Sequence, residues 1–304
     1  MIIVKLKGGL GNQLFQYALG RRLAFDNNLP LKLDISPGFE NSFYKCRYSL
    51  SYFNIIEDII SPKYLKIIKH IQTQSIMGKL ISLTKPLIPF LALEEIVESS
   101  FSFDNNLLRP YKNIYLDGYW QSEKYFKNIE NIIRREFLLK YHLAGKSLSI
   151  AEKIKKSNSV SIHFRIFHGI SEFKKGGAID NRGRELHGTI ELDYYYKAIK
   201  YLSTMHNDLH FFMFSDDPEW VEDNFKISYP YTIISHNRGI RDHEDLHLMS
   251  LCKHQIISNS SFSWWAAWLN TNTEKIVIAP RQWLADEKMN NQTQDRIPEN
   301  WIRV

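Results

Sequence analysis

The run Ser161-Ile162-His163-Phe164-Arg165-Ile166-Phe167-His168-Gly169 sets a histidine and an arginine two residues apart in a segment that otherwise reads as a buried strand. Side chains alternate faces along a strand. Ile162, Phe164 and Ile166 then pack inward, while Ser161, His163 and Arg165 share the opposite face. A planar guanidinium can hold two phosphate oxygens at once. The segment therefore reads as the floor of an anion site. An edge strand carrying a surface arginine is the alternative it leaves open.

Other segments carry chemistry of the same kind. Gly8-Gly9-Leu10-Gly11-Asn12-Gln13 closes a first strand and opens a helix. Helix starts expose amides that bind phosphate, and glycine lets a ligand approach the backbone. Gly9, Gly11, Asn12 and Gln13 are therefore candidate ligands. Asp34, ending the next strand, mimics the ribose-binding acid of a dinucleotide fold, but Leu14 stands where the third fingerprint glycine belongs. A tight strand-to-helix turn explains the glycines equally well.

Phe211 to Phe214 leads into Ser215-Asp216-Asp217-Pro218, so Asp216 lies beyond a strand's carboxyl end, where open α/β sheets bind ligands. Asp217 before Pro218 reads as an N-cap. Two adjacent carboxylates without a third ligand are thin support for a metal. Asp245 falls in the first turn of a helix, where negative charge is favourable; its functional alternative is to accept the paired N–H donors of guanine. Ser258-Asn259-Ser260-Ser261-Phe262 runs from a strand into a tryptophan-rich helix, and Ser260, Ser261 and Phe262 form a second anion cradle. The tryptophans are packing residues first. His243 and His247 are four apart but lack the H-E-x-x-H pattern, and neither a P-loop nor a G-x-S-x-G elbow is present. No metal site is expected.

Composition bounds these readings. The chain has 304 residues, 44% hydrophobic and 13% aromatic, ample for a core and consistent with two domains. The two cysteines, Cys46 and Cys252, are far apart, which suits a reducing, cytoplasmic setting. The N-terminal segment lacks a signal-peptide layout, and no apolar run reaches membrane-spanning length. A formal net charge of +6 favours anionic partners, and nucleic acid is the least supported because no nucleic-acid motif is present. Between Tyr64 and Leu93, apolar residues interleave with Lys63, Lys66, Lys69, Lys79 and Lys85. That stripe suits either the domain's own core, the favoured reading, or a peripheral contact with an anionic membrane.

The elements that must position these residues alternate. Ile2–Leu6 reads as a strand, Leu14 to Phe25 as a helix and Leu31–Ile35 as a strand. Ile114–Leu116 is a strand, and a helix spans Phe126–Phe137. After a crossing at Lys153–Asn158, strands are expected at Val160–Phe167, Leu209–Phe214, Tyr231–Ser235, Gln255–Ser258 and Lys275–Ala279. Helices are expected at Asp193–Leu202, Pro218–Phe225, His243–Lys253 and Phe262–Leu269, and a polar loop at Ser171–Gly188. This order implies parallel sheets with crossover helices. It gives an N-terminal domain over 1–152 and a C-terminal domain over 153–304, both doubly wound and facing across a cleft.

Taken together, the strings GGLGNQLFQY (Gly8–Tyr17), DGYWQSEKYF (Asp117–Phe126), SIHFR (Ser161–Arg165), FFMFSDDPEW (Phe211–Trp220), DLHLMS (Asp245–Ser250) and ISNSSFSWWAAW (Ile257–Trp268) resemble bacterial alpha-1,2-fucosyltransferases of glycosyltransferase family 11. His187-Gly188 before Leu192-Asp193-Tyr194-Tyr195 fits the same order. The resemblance implies a GT-B-like α/β architecture with the donor in the C-terminal half. It also implies an inverting, metal-independent transfer of L-fucose from GDP-L-fucose to a galactose hydroxyl. The acceptor would be a surface glycan such as O-antigen, lipid-linked or free.

The family's H-x-R-R-x-D string reads His163-Phe164-Arg165-Ile166-Phe167-His168 here. Diphosphate binding carries over to Arg165 and contact with the donor to His163, but the second arginine and the aspartate are gone. Another GDP-deoxyhexose, such as colitose, is the alternative donor. Without a metal, the negative charge on the leaving diphosphate must meet Arg165 and the helix-start amides at Asn12 and around Ser260 to Phe262. His168, then His187, is the candidate proton acceptor. A non-catalytic nucleotide-binding protein, or a dinucleotide enzyme using Gly9, Gly11 and Asp34, is the reading from another class.

Overall fold

The computed structural model describes residues 1–36, 39, 46–66, 93–166, 186–188, 190–237 and 241–304. Among these, the chain forms two compact units, Met1–Leu138 and Leu139–Val304. Each has its own parallel sheet, as expected for a GT-B-like α/β protein.

The first unit contains β1 (Ile2–Lys5), α1 (Leu10–Asn27), β2 (Leu31–Asp34), β3 (Glu94–Val97), β4 (Ile114–Asp117) and α2 (Glu130–Glu136). Its strand order is β2-β1-β4-β3. Buried Ile2, Ile3 and Val4 make β1 a central strand with little polar character. Such apolar runs suit a parallel sheet covered on both faces. Helix α1 lies very close to β1. A Cβ on Gly20 would come within 2.2 Å of Val4 Cγ2, so a residue without a side chain is required there. Asn28, at φ 50°, ends the helix and donates its amide to Ala24 and Phe25 carbonyls, a left-handed cap. The helix expected over Phe126–Phe137 is instead two short 3-10 turns, Glu123–Tyr125 and Lys127–Ile129, followed by α2.

The second unit contains α3 (Gly145–Lys156), β5 (Asn158–Phe164), α4 (Leu192–Met205), β6 (Leu209–Ser215), α5 (Pro218–Asn224) and β7 (Tyr231–Ile234). These are followed by α6 (Asp242–Leu251), β8 (His254–Ile256), α7 (Ser261–Leu269), β9 (Val277–Ala279), α8 (Glu287–Asn290) and β10 (Ile302–Arg303). The order β10-β9-β8-β5-β6-β7 is that of a doubly wound dinucleotide-type sheet. The chain works outward from β5 to β7, then returns to the other side of β5 as β8. The switch point therefore lies between β5 and β8, where open α/β sheets bind ligands beyond the strand ends.

β5 is thus interior, and the edge-strand alternative falls. Val160, Ile162 and Phe164 are fully buried against Tyr195, Ala198 and Leu202 of α4, with Ile166 packed at the margin. The units divide between Leu138 and Leu139 rather than after residue 152. The reason lies in α3, whose Ser147, Ala151 and Ile154 are buried in the second unit. Lys153 to Lys156, expected to cross between domains, form the last turn of this helix.

Candidate functional site

In the first unit, the chain leaves β1 through Gly8, at φ +78°, where a Cβ would lie 2.7 Å from Asn12 Nδ2. That turn needs glycine. Gly9 is exposed and open around its α-carbon, Gly11 is buried, and α1 starts between them. The amides of Asn12 and Gln13 are already used, each donating to the Gly9 carbonyl at 3.0 and 3.2 Å. The expectation that the Asn12 amide meets a phosphate is therefore corrected: it closes the first helical turn. The Asn12 side-chain oxygen accepts from Gln121 Nε2 at 2.7 Å.

Gln13, expected as a ligand, is fully buried. Its Nε2 donates to the Gly8 and Arg47 carbonyls, and its Oε1 accepts from the Ser49 amide. It fastens two loops to the helix start. Asp34 is equally committed: it is 1% exposed and accepts from Tyr115 Oη at 2.7 Å and from the Ser36 hydroxyl. A carboxylate so enclosed is not presented to a ribose, which removes the dinucleotide reading's acid.

The second unit brings His163, Arg165, Asp216 and the Ser258–Phe262 segment together at the carboxyl end of β5 and its neighbours. Register pairs Phe164 with Ser215, so Arg165 and Asp216 are the next residues out on neighbouring strands. Arg165 Nη1 lies 3.1 Å from Asp216 Oδ2, with the two side chains 34% and 22% exposed. Asp216 Oδ1 accepts the Ile166 amide at 2.8 Å. Two residues back along β5, His163 Nδ1 is 2.8 Å from Ser258 Oγ, and its ring sits 5.5 Å from that of Phe262. β5 is thereby tied across the switch point to the segment entering α7.

Ser260 caps α7, its hydroxyl accepting the Phe262 amide at 3.3 Å, and its carbonyl accepts the Trp264 amide. The Phe262 amide is thus held by the cap, whereas the expectation had it in the cradle. Ser261 opens the helix. Burial takes His163 down to about 3, against the opposing pull of the Asp216 carboxylate and with a smaller push from the Arg165 charge. Its imidazole is neutral, and it works as a hydrogen-bonding wedge between β5 and α7.

His187 is tied to the same end of the sheet, its carbonyl accepting Asn259 Nδ2 at 2.7 Å. Burial first, then the charges of Arg296 and Arg165, push it down to about 4. It is neutral at physiological pH and weakly basic, below the range that suits a general base at pH 7. His168 lies outside the described residues, as do most of the lysine-rich segment after Tyr64 and of the polar loop after Ser171.

Asp245 stands in the first turn of α6, beyond β7. Asn237 Nδ2 donates to it at 2.8 Å, and Asn237 in turn meets Ser147 of α3. Burial, reinforced by Asp242 and Glu244 against the lowering bond from Asn237, raises Asp245 to about 7. Asn237, Asn259 and the buried Arg296 escaped the sequence reading. Only Asn259, set between Ser258 and Ser260, carried a local signal.

Among the described residues, no group of three or more His, Cys, Asp or Glu is gathered that could hold a metal ion. None of their helices is long and apolar enough to cross a membrane.

The parallel sheet of the second unit thus carries an arginine and a capped helix start beyond its strand ends, where open α/β sheets bind ligands. The model for Glycosyl transferase family 11 matches residues 1–304. The chain belongs to glycosyl transferase family 11. Two relatives from Escherichia coli align over their length. An alpha-1,2-colitosyltransferase is 32% identical, covering 100% of this chain and 99% of its own. The O-antigen biosynthesis glycosyltransferase WbnK is 33% identical, covering 98% and 99%. Among solved structures, the alpha-1,6-fucosyltransferase NodZ, co-crystallised with GDP, superposes with a TM-score of 0.51 at 14% identity. That match covers 87% of this family 11 chain and 90% of NodZ, a likeness of fold. This chain is a family 11 glycosyltransferase.

Proposed function

We propose that this glycosyltransferase moves a 6-deoxy-L-hexose from its GDP-activated form to a galactose hydroxyl of an O-antigen-type glycan, forming an alpha-1,2 linkage with inversion. The observation that carries the reading is the junction of β5 and α7. His163 bonded to Ser258 sets Arg165 and the capped start of α7 at one end of adjacent strands. The alpha-1,2 linkage in the name of one full-length relative, and the O-antigen in that of the other, support the choice of reaction.

The chemistry follows from charge. As the bond between sugar and phosphate lengthens, positive charge grows on the anomeric carbon and negative charge on the departing diphosphate. Arg165 and the positive end of α7 meet that negative charge. Donors fixed before the reaction spend nothing on reorganisation, and one such donor contributes on the order of 3–4 kcal/mol. Asp245, once ionised, accepts the two guanine N–H donors. The acceptor hydroxyl attacks opposite the leaving group and gives up its proton late, so a weak base suffices. Acceptor recognition is assigned to the Met1–Leu138 unit. The reading calls for no metal, a cytoplasmic setting, and an acceptor that is soluble or lipid-linked. The +6 charge suits work beside an anionic membrane surface.

The donor is GDP-L-fucose or GDP-colitose, which differ by the hydroxyl at carbon 3. A site built to bond a hydroxyl rejects the analogue without it by about 10⁴-fold or more, whereas an apolar pocket rejects the added hydroxyl by only about 10²-fold. Purified protein incubated with each donor, EDTA and galactosyl acceptors should release GDP and form product. The ratio of kcat/KM for the two donors names the natural one. No product from either donor would overturn the reading.

A further inference from the structure

Asp216 was expected to bind substrate, but both of its oxygens are directed at the protein. One accepts the Ile166 amide at 2.8 Å, and the other faces Arg165 Nη1 at 3.1 Å. We propose that Asp216 is a positioning residue, which orients the Arg165 guanidinium toward the leaving diphosphate and turns the chain out of β5, without touching the donor. This rests on the reading that the second unit binds a GDP-sugar.

Three observations carry it. First, the pair is set by sheet register. β5 and β6 match Phe164 with Ser215, so the residues one step further out face each other. Second, the turn bearing Asp216 is locked on either side. The Ser215 hydroxyl accepts the Asp217 amide at 3.0 Å, and Asp217 caps α5 by accepting the Trp220 amide at 3.0 Å. Asp216 therefore projects from a fixed base. Third, the pair is about one-third exposed on the arginine side, so an anion can reach the guanidinium while the carboxylate braces it.

A carboxylate beside a bound diphosphate repels it. Asp216 must then weaken ground-state binding of the nucleotide. Its benefit appears only where a correctly aimed arginine counts, as charge develops in the transition state. A ligand to the sugar would show the opposite sign in binding, and a purely structural residue would show neither.

The test uses the full chain. Asp216→Asn keeps an oxygen for the Ile166 amide and removes the charge. Expected are a kcat at least 10-fold lower and a GDP dissociation constant, by calorimetry, a few-fold tighter than wild type. Asp216→Glu keeps the charge but displaces it. It should lose kcat with GDP affinity unchanged, and it serves if the asparagine variant fails to fold. In an Arg165→Lys background, Asp216→Asn should lower kcat little further. Unchanged kcat in a folded Asp216→Asn variant overturns the proposal. So does weaker GDP binding with a raised donor KM, which would make Asp216 a direct ligand, or full additivity with Arg165→Lys. Failure of the wild-type chain to bind GDP would overturn the underlying reading, and this inference with it.

Discussion

Arg165 and Asp245 divide the proposed work on the nucleotide, the first on its charge and the second on its base. Arg165 is one-third exposed and lies beyond the end of β5, so its removal should cost activity rather than folding. Arg165→Ala is expected to lower kcat by two to three orders of magnitude, in line with about 3–4 kcal/mol for a preorganised donor. Its thermal midpoint should stay within a few degrees; unchanged turnover would remove Arg165 from the site. Asp245 yields a pH prediction. It is raised to about 7 in the folded chain, against about 3.9 when unfolded. Between those values the folded state holds the extra proton. Its contribution to stability is thus complete at the acidic end and is lost as pH rises through about 7. Guanine recognition needs the ionised form, so GDP should bind more tightly at pH 8 than at pH 6. Both dependences should flatten in Asp245→Asn, measured by calorimetry and by thermal melts across pH.

At the scale of elements, the strength of each sequence signal tracks how the element is buried. β5, β6 and α7 were legible because long apolar runs and a serine cap mark strands and helix starts without tertiary help. β3 and β10 went unseen. Glu94 and Glu95 give β3 an exposed, acidic surface, and Ile302–Arg303 is a two-residue edge held by pairing with β9. Neither carries a pattern of its own. The site was legible in part for the same reason. Arg165, Ser260 and Asp245 lie next to strong element boundaries. The committed bonds of Gln13, the tie of His163 to Ser258 and the hold of Asp216 on the Ile166 amide depend on partners 36, 95 and 50 residues away. Helix α7 gives a prediction at this scale. Trp265 is fully buried beside Trp264 and Trp268. Trp265→Ala should destabilise by roughly 3–5 kcal/mol in urea unfolding, where a loss below about 1 kcal/mol would contradict the packing role.

The molecule as a whole is two parallel sheets whose sequence boundary depends on one helix. α3 buries Ser147, Ala151 and Ile154 in the second unit, and Ser147 meets Asn237, the partner of Asp245. A fragment beginning at Leu139 should melt cooperatively and retain GDP binding. One beginning at Lys153 exposes the surface α3 covered and severs the support of Asp245, so it should melt non-cooperatively or aggregate. Equal behaviour of the two fragments in circular dichroism and calorimetry would move the boundary back to residue 152.

Six of the seven tryptophans belong to the second unit, and only Trp120 to the first. Trp264 lies within 5.5 Å, ring to ring, of both Trp265 and Trp301, and its indole N–H is bonded to the Arg296 carbonyl. Ultraviolet emission from the unlabelled protein is therefore an uneven signal. It is weighted toward the surroundings of α7, with Trp120 reporting from the first unit, so under the proposed division of labour a titration followed by intrinsic fluorescence should respond more strongly to GDP than to a galactosyl acceptor.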